Sequence, residues 1–180
     1  MKFKAKQYWD TRSDEWTSTK HYNEAEAAEI EAFLDLFDSS IVLVADLGCG
    51  TAPYFNLFTN RDLYYVGTDV SNKQVKWCLK THPSIMFLVE DLKNLSVKAD
   101  LAFCGRSLMN VPTEYFPEVA KRINENFKYA LIIDFREDVN NKGEAPQSQY
   151  HKFSEHFKII DTKNLNDLNK IMWVQCNGKL

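Results

Sequence analysis

The sequence predicts an α/β protein. Its sheet would be doubly wound and seven-stranded, with an antiparallel final strand and helices on both faces. Three observations predict it. The apolar period switches repeatedly between strand and helix patterns along the 180 residues, and strands alternating with helices build parallel sheets. Runs such as "IVLVADL" (41–47) are β-branched and continuously apolar, as strands buried on both faces are. The last two strand-like runs are separated only by "LNDLNK". A parallel return needs a dozen or more residues, so these two form a hairpin and the final strand is antiparallel.

In chain order, "YNEAEAAEIEAFLDLFDSS" (22–40) places Ile30, Phe33, Leu34 and Phe37 at helical spacing with glutamates opposite. Residues 41–47 are the first strand and "DLYYVGTDV" (62–70) the second. Ser71 then reads as the N-cap of a helix that carries Val75, Cys78 and Leu79 and stops before Pro83. "SIMFLVED" (84–91) and "ADLAFCG" (99–105) are the third and fourth strands. A helix entered at Pro117, a favourable first-turn residue, continues through "EVAKRINENF", and "YALIIDF" (129–135) is the fifth strand. The breaker-rich stretch 136–147 is a loop, 148–157 a short helix, and 157–164 with 171–177 the closing hairpin. No repeat or linker divides the chain, so 1–180 is read as a single domain, with 1–22 a lead-in segment and 23–180 the core.

A formal net charge of -3 gives no global attraction to nucleic acid, and no Lys/Arg run supplies a local one. Cys49, Cys78, Cys104 and Cys176 form no CxxC and stand near no histidine pair, so neither a metal site nor a disulfide framework is expected. "MKFKAKQYWD" has no apolar signal-peptide core, and no apolar run reaches membrane-spanning length. A cytoplasmic protein is the expectation.

Three motifs fall at predicted strand tips. Gly48 and Gly50 in "VADLGCGTAP" follow the first strand, where open α/β sheets bind ligands and a side-chain-free turn lets a ligand touch the backbone. Asp69 ends the second strand about twenty residues beyond Gly48, the distance at which a carboxylate grips ribose hydroxyls. Glu90 and Asp91 end the third strand in "FLVEDL". One extended nucleoside would cross all three neighbouring tips. A dinucleotide site would want a third small residue where Pro53 stands, to seat the helix against the strand.

Together, "VADLGCGTAPYF", "YYVGTDVS", "MFLVEDLKNL" and "ADLAFCGRSLMNVP" resemble the successive motifs of class I S-adenosylmethionine-dependent methyltransferases, and "KQYWDTRSDEW" is similar to the lead-in of small members. The resemblance implies a Rossmann-like fold, S-adenosyl-L-methionine as cofactor and S-adenosyl-L-homocysteine as product. It implies that Asp46, Gly48, Cys49 and Gly50 frame the methionine end. Asp69, followed by Val70 and Ser71, would hold the ribose, and Asp91 with the Leu92 backbone the adenine. Cys104 and Gly105 would pass near the methionine, while Tyr8, Trp9, Arg12 and Trp16 would close over the cofactor, Arg12 pairing with its carboxylate. The Cys49 thiol reads as a small filler rather than a nucleophile, because no base lies beside it in sequence.

Two departures from that pattern matter. Ala52-Pro53 stands where many relatives continue with glycine, with Pro53 expected in the first turn of the following helix, and Asn110 stands where many carry histidine. No catalytic residue is assigned; His21, Tyr22, Arg106 and Asn110 are the positions near the expected acceptor. The Asp/Asn-Pro-Pro-aromatic signature of amino-directed DNA methyltransferases is missing from "CGRSLMNVP". The expected acceptor is therefore an O, N or S nucleophile of a small molecule or a protein side chain. Cover over it would be minimal or come from a partner subunit, which includes a second copy of the chain. Two other readings stand beside this one: a non-catalytic S-adenosylmethionine-binding module serving a partner protein, and an RNA methyltransferase that borrows a basic surface.

Overall fold

The computed structural model describes residues 5–18, 22–36, 41–135 and 149–177. Seven strands share one sheet: β1 (Leu43–Leu47), β2 (Tyr64–Asp69), β3 (Met86–Val89), β4 (Ala99–Gly105), β5 (Phe127–Phe135), β6 (Lys158–Asn164) and β7 (Asn169–Gln175). Their order is β3-β2-β1-β4-β5-β7-β6. Strands β1 to β5 pair in parallel, and β7 runs antiparallel to both β5 and β6. The order reverses between β1 and β4, so connections leave toward opposite faces and a crevice opens at the carboxyl ends of those strands. Asp46 pairs with Gly67 on one side and Phe103 on the other, which sets the three tips level.

Two apolar layers hold the helices. On one face, Ile30 and Phe33 of α2 (Glu24–Leu34), Phe58 of α3 (Phe55–Thr59) and Val75 of α4 (Asn72–Thr81) pack on Val44, Leu101 and Ile133. On the other, Val119 and Ile123 of α5 (Phe116–Asn126) pack with Phe153 on Ala102, Ile132 and Met172. α1 (Ala5–Ser18) lies against α4. Asn23 caps α2 by accepting from the Ala25 and Glu26 amides at 3.0 and 3.2 Å. Ser71 caps α4 as its sequence position predicts.

The structure departs from the expected elements in three places. Among the described residues of 148–157 there is only a 3₁₀ turn, Phe153–Glu155, not a helix. His151, Phe153 and Phe157 are all buried, and positions two apart cannot share one helix face, so packing prevails over propensity. The helix after the glycine turn begins only at Phe55, because Ala52 takes a left-handed φ of 52° and Pro53 lies in the turn rather than in the first helical turn. Leu79 of α4 is 44% exposed while Cys78 is buried, so the apolar stripe is narrower than expected. Phe37 and the loop 136–147 lie outside the described residues.

Candidate active site

The turn after β1 is stapled to β2. Both the Gly48 and Cys49 amides donate to the Thr68 carbonyl at 2.8 Å, which forces the backbone to fold back on itself. Gly48 and Gly50 adopt φ of 74° and 54°, a region that costs an L-residue roughly 1–2 kcal/mol. Their surroundings differ. A Cβ on Gly48 would stand 2.6 Å from the Ser107 Cβ, whereas one on Gly50 would meet nothing within 4 Å.

Asp69 locks this turn from the tip of β2. Its Oδ2 accepts from the Gly50 amide at 3.0 Å and its Oδ1 from the Ser71 amide at 2.8 Å. Burial raises its carboxyl above the ordinary range, although both amides pull the other way. Asp46, on β1, accepts from the Tyr65 hydroxyl at 2.6 Å. Burial pushes it up to about 7; the Tyr65 bond opposes this, and the charge of Asp69 adds to it. Two neighbouring acids whose ionisation is resisted by burial are placed to gain from a cationic ligand.

A cavity of about 640 Å³ opens over these tips. At one end stand Asp91, Leu92 and Lys93, with Tyr115 opposite; the Lys93 ammonium lies 4.5 Å from the Tyr115 ring centre. Asp91 Oδ1 accepts from the Lys93 amide at 3.0 Å and so caps the 3₁₀ turn Leu92–Asn94. The middle is walled by Asp69, Val70, Gln74 and the glycine turn, and the far end by Phe103, Gly105, Arg106 and Asn110. Gln74, only 4% exposed, holds an amide oxygen that has no hydrogen-bond partner among the described residues.

α1 contributes Lys6 and Trp9 to the cavity wall. It is tied down by Asp10, whose Oδ1 accepts from the Ser71 hydroxyl at 2.7 Å and the Lys73 amide at 3.3 Å, while Lys6 Nζ meets Oδ2 at 3.0 Å. Burial would raise the Asp10 carboxyl, but these partners outweigh it and hold it below the ordinary value. Tyr8 and Arg12 are elsewhere. Arg12 donates to the Tyr8 hydroxyl at 2.8 Å, and neither side chain lines the cavity. Cys104 and Ser71 are fully buried behind the wall. The side chain of Trp16 lies outside the described residues, as does His21. Tyr22 is 48% exposed and sits against Tyr54, with ring centres 5.6 Å apart.

Sequence reasoning missed the group that shapes the far end. Glu26 of α2 is 2% exposed, accepts from the Tyr54 hydroxyl at 2.6 Å and pairs with the Arg106 guanidinium. A signal for it was present: Glu26, Ile30 and Phe33 fall at i, i+4 and i+7, so this glutamate belongs to the apolar stripe and not to the polar face. Arg106 has φ of 62°, its amide donates to the Ile133 carbonyl, and its carbonyl accepts from Asn110 Nδ2 at 3.1 Å. No histidine is among the described residues that line the cavity. His151 instead stacks on Phe116 with ring centres 3.8 Å apart, and burial lowers its pKa, which leaves it neutral.

Residues 45–128 match the family model described as a methyltransferase domain. No curated protein matches the chain. Among solved structures, magnesium protoporphyrin IX methyltransferase of Synechocystis PCC 6803 with bound S-adenosylmethionine is 16% identical, with 95% of this chain and 94% of that one covered at a TM-score of 0.74. The Haloferax volcanii protein solved in complex with the Trm112 methyltransferase activator is 11% identical, with 98% and 99% covered at 0.78. The [4+2]-cyclase SpnF is also 11% identical, with 97% and 95% covered at 0.75. At such identities these likenesses show the fold.

Proposed function

We propose that this chain, whose residues 45–128 match a methyltransferase domain, is a class I S-adenosylmethionine-dependent methyltransferase that binds S-adenosylmethionine across the tips of β1, β2 and β3 and methylates an O, N or S nucleophile of a small molecule or a protein side chain. One observation carries this reading: a single cavity runs from Asp91 and Leu92 past Asp69 to the glycine turn and on to Arg106. The lining suits such a ligand. Asp91 and Leu92 suit an adenine edge, and Asp69 would exchange its bonds to the Gly50 and Ser71 amides for ribose hydroxyls. Bare Gly50 opens a path for the methionine chain, and Asp46 answers positive charge there. When bound, the cofactor supplies an electrophilic methyl on a sulfonium and leaves as neutral S-adenosylhomocysteine.

The protein's task is then alignment and exclusion of water, and alignment alone is worth roughly 7–11 kcal/mol in well-oriented systems. Trp9 and Lys6 put α1 over the cavity, so α1 acts as cover for the core. Cover beyond that would come from a partner subunit or a second copy; the Haloferax volcanii relative was solved with an activator. A cytoplasmic setting suits four cysteines that are all free thiols.

Calorimetry with S-adenosylmethionine and with NAD, on wild type and Asp69→Ala, tests the proposal. The sulfonium ligand should bind wild type and lose at least about tenfold in affinity in the variant, the loss expected for a charge-assisted hydrogen bond. Binding of NAD in its place would overturn the assignment. Transfer of labelled methyl to metabolite, protein and RNA fractions of a cell extract then identifies the acceptor class.

A further inference from the structure

The far end of the cavity holds a cation fixed by three direct partners. The Arg106 guanidinium lines the cavity with about a third of the side chain exposed. Glu26 holds one of its terminal nitrogens, and Tyr54 fixes Glu26 from the opposite side. The Arg106 backbone is pinned by the Ile133 carbonyl and the Asn110 amide in a left-handed conformation that an unconstrained arginine avoids. Strain retained at a cavity wall by this many partners points to a side chain whose position matters. Among the described residues the guanidinium meets no acceptor other than Glu26, and the side chain lines the cavity.

We propose that Arg106 anchors a carboxylate carried by the methyl acceptor, so that the substrate is a small organic acid. This rests on the reading of the cavity as a methyltransferase site. Arginine presents paired donors at the spacing of a carboxylate's two oxygens, which a lysine ammonium cannot do. A singly charged acid suits the surroundings better than a phosphate, because Glu26 already offsets part of the Arg106 charge. Arg106 stands beyond the glycine turn from the Asp91 end, where an acceptor would approach the transferable methyl. Asn110, at the position where the family resemblance led one to expect histidine, sets the Arg106 carbonyl and is a positioning residue for this anchor.

The test is calorimetric, on the full chain, with and without saturating S-adenosylhomocysteine. Acetate, malonate and benzoate are titrated beside acetamide, malonamide and benzamide. At least one acid should bind wild type saturably, its amide should bind tenfold or more weakly, and Arg106→Gln should lose tenfold or more for the acid while its affinity for S-adenosylhomocysteine stays within twofold. Arg106→Lys keeps the charge opposite Glu26 and therefore the fold, and should still lose threefold or more for the acid. The proposal is overturned if no acid binds, if amides bind equally well, or if both variants bind the acid like wild type. Loss of S-adenosylhomocysteine affinity in the variants would also overturn it, by assigning Arg106 to the cofactor's own carboxylate. Failure of wild type to bind S-adenosylhomocysteine at all would instead sink the cofactor reading, independently of the acid titrations.

Discussion

Gly48 and Gly50 share a left-handed backbone, yet a methyl group would meet different fates at the two positions. On Gly48 it would strike the Ser107 Cβ, adding overpacking to backbone strain. Gly48→Ala should therefore lose about 3 kcal/mol in urea unfolding. Gly50→Ala should lose only about 1 kcal/mol, since the new methyl points into open space, which is where the proposed ligand would lie. Its S-adenosylhomocysteine affinity should fall by roughly tenfold or more, the cost of a badly placed methyl. The reverse ranking in stability would contradict the packing seen at Ser107. These glycines and Asp69 were legible in the sequence because their roles are local: a turn after a strand and an acid at the next tip. Glu26, Gln74 and Arg106 were not singled out with comparable force, because what defines them is burial against residues distant in the chain.

At the scale of elements, Ser71 connects two helices. Its hydroxyl accepts from the Gln74 amide at 3.3 Å, capping α4, and donates to Asp10 of α1. Ser71→Ala should cost about 1 kcal/mol of global stability, as lost N-caps do, and should also loosen α1. Asp10→Ala should spare the cap and loosen α1 alone, with tryptic cleavage at Arg12 rising on the order of fivefold, the population change that about 1 kcal/mol produces. Equal cleavage of Asp10→Ala and wild type would show that α1 is held by other contacts. The cap was readable from sequence because Ser-x-x-Gln ahead of an apolar period is a local signal. The Asp10 tie spans 61 residues and has no such signature. Likewise, the strands were read from their apolar runs, whereas the 148–157 segment was misread because tertiary burial of His151, Phe153 and Phe157 decided its shape.

For the whole molecule, the buried acids set fold stability against ligand binding. The folded Asp46 carboxyl is raised from 3.8 to about 7, and Asp69 is raised as well. Such groups favour the fold fully when pH is below the unfolded value, and that contribution is lost as pH rises through the folded one. Between pH 5.5 and 7.5, Asp46 alone should cost the ligand-free protein about 2 kcal/mol. Asp10 and Asp100, whose carboxyls are lowered, act with the opposite sign and only in more acid solution, as pH falls through their folded values. A cationic ligand favours ionised Asp46, so its affinity should move the other way and strengthen toward pH 7.5. Asp46→Asn should flatten the stability slope across that interval and leave a ligand affinity that no longer rises with pH. Urea titrations at the two pH values, paired with calorimetry using S-adenosylmethionine, read both slopes on the same samples. Opposite slopes in wild type that vanish together in the variant would mark a fold that gives up stability at neutral pH to keep an anion where the ligand's positive charge is bound. A wild type whose stability holds level across the interval would mean that Asp46 ionises as freely inside the protein as in water.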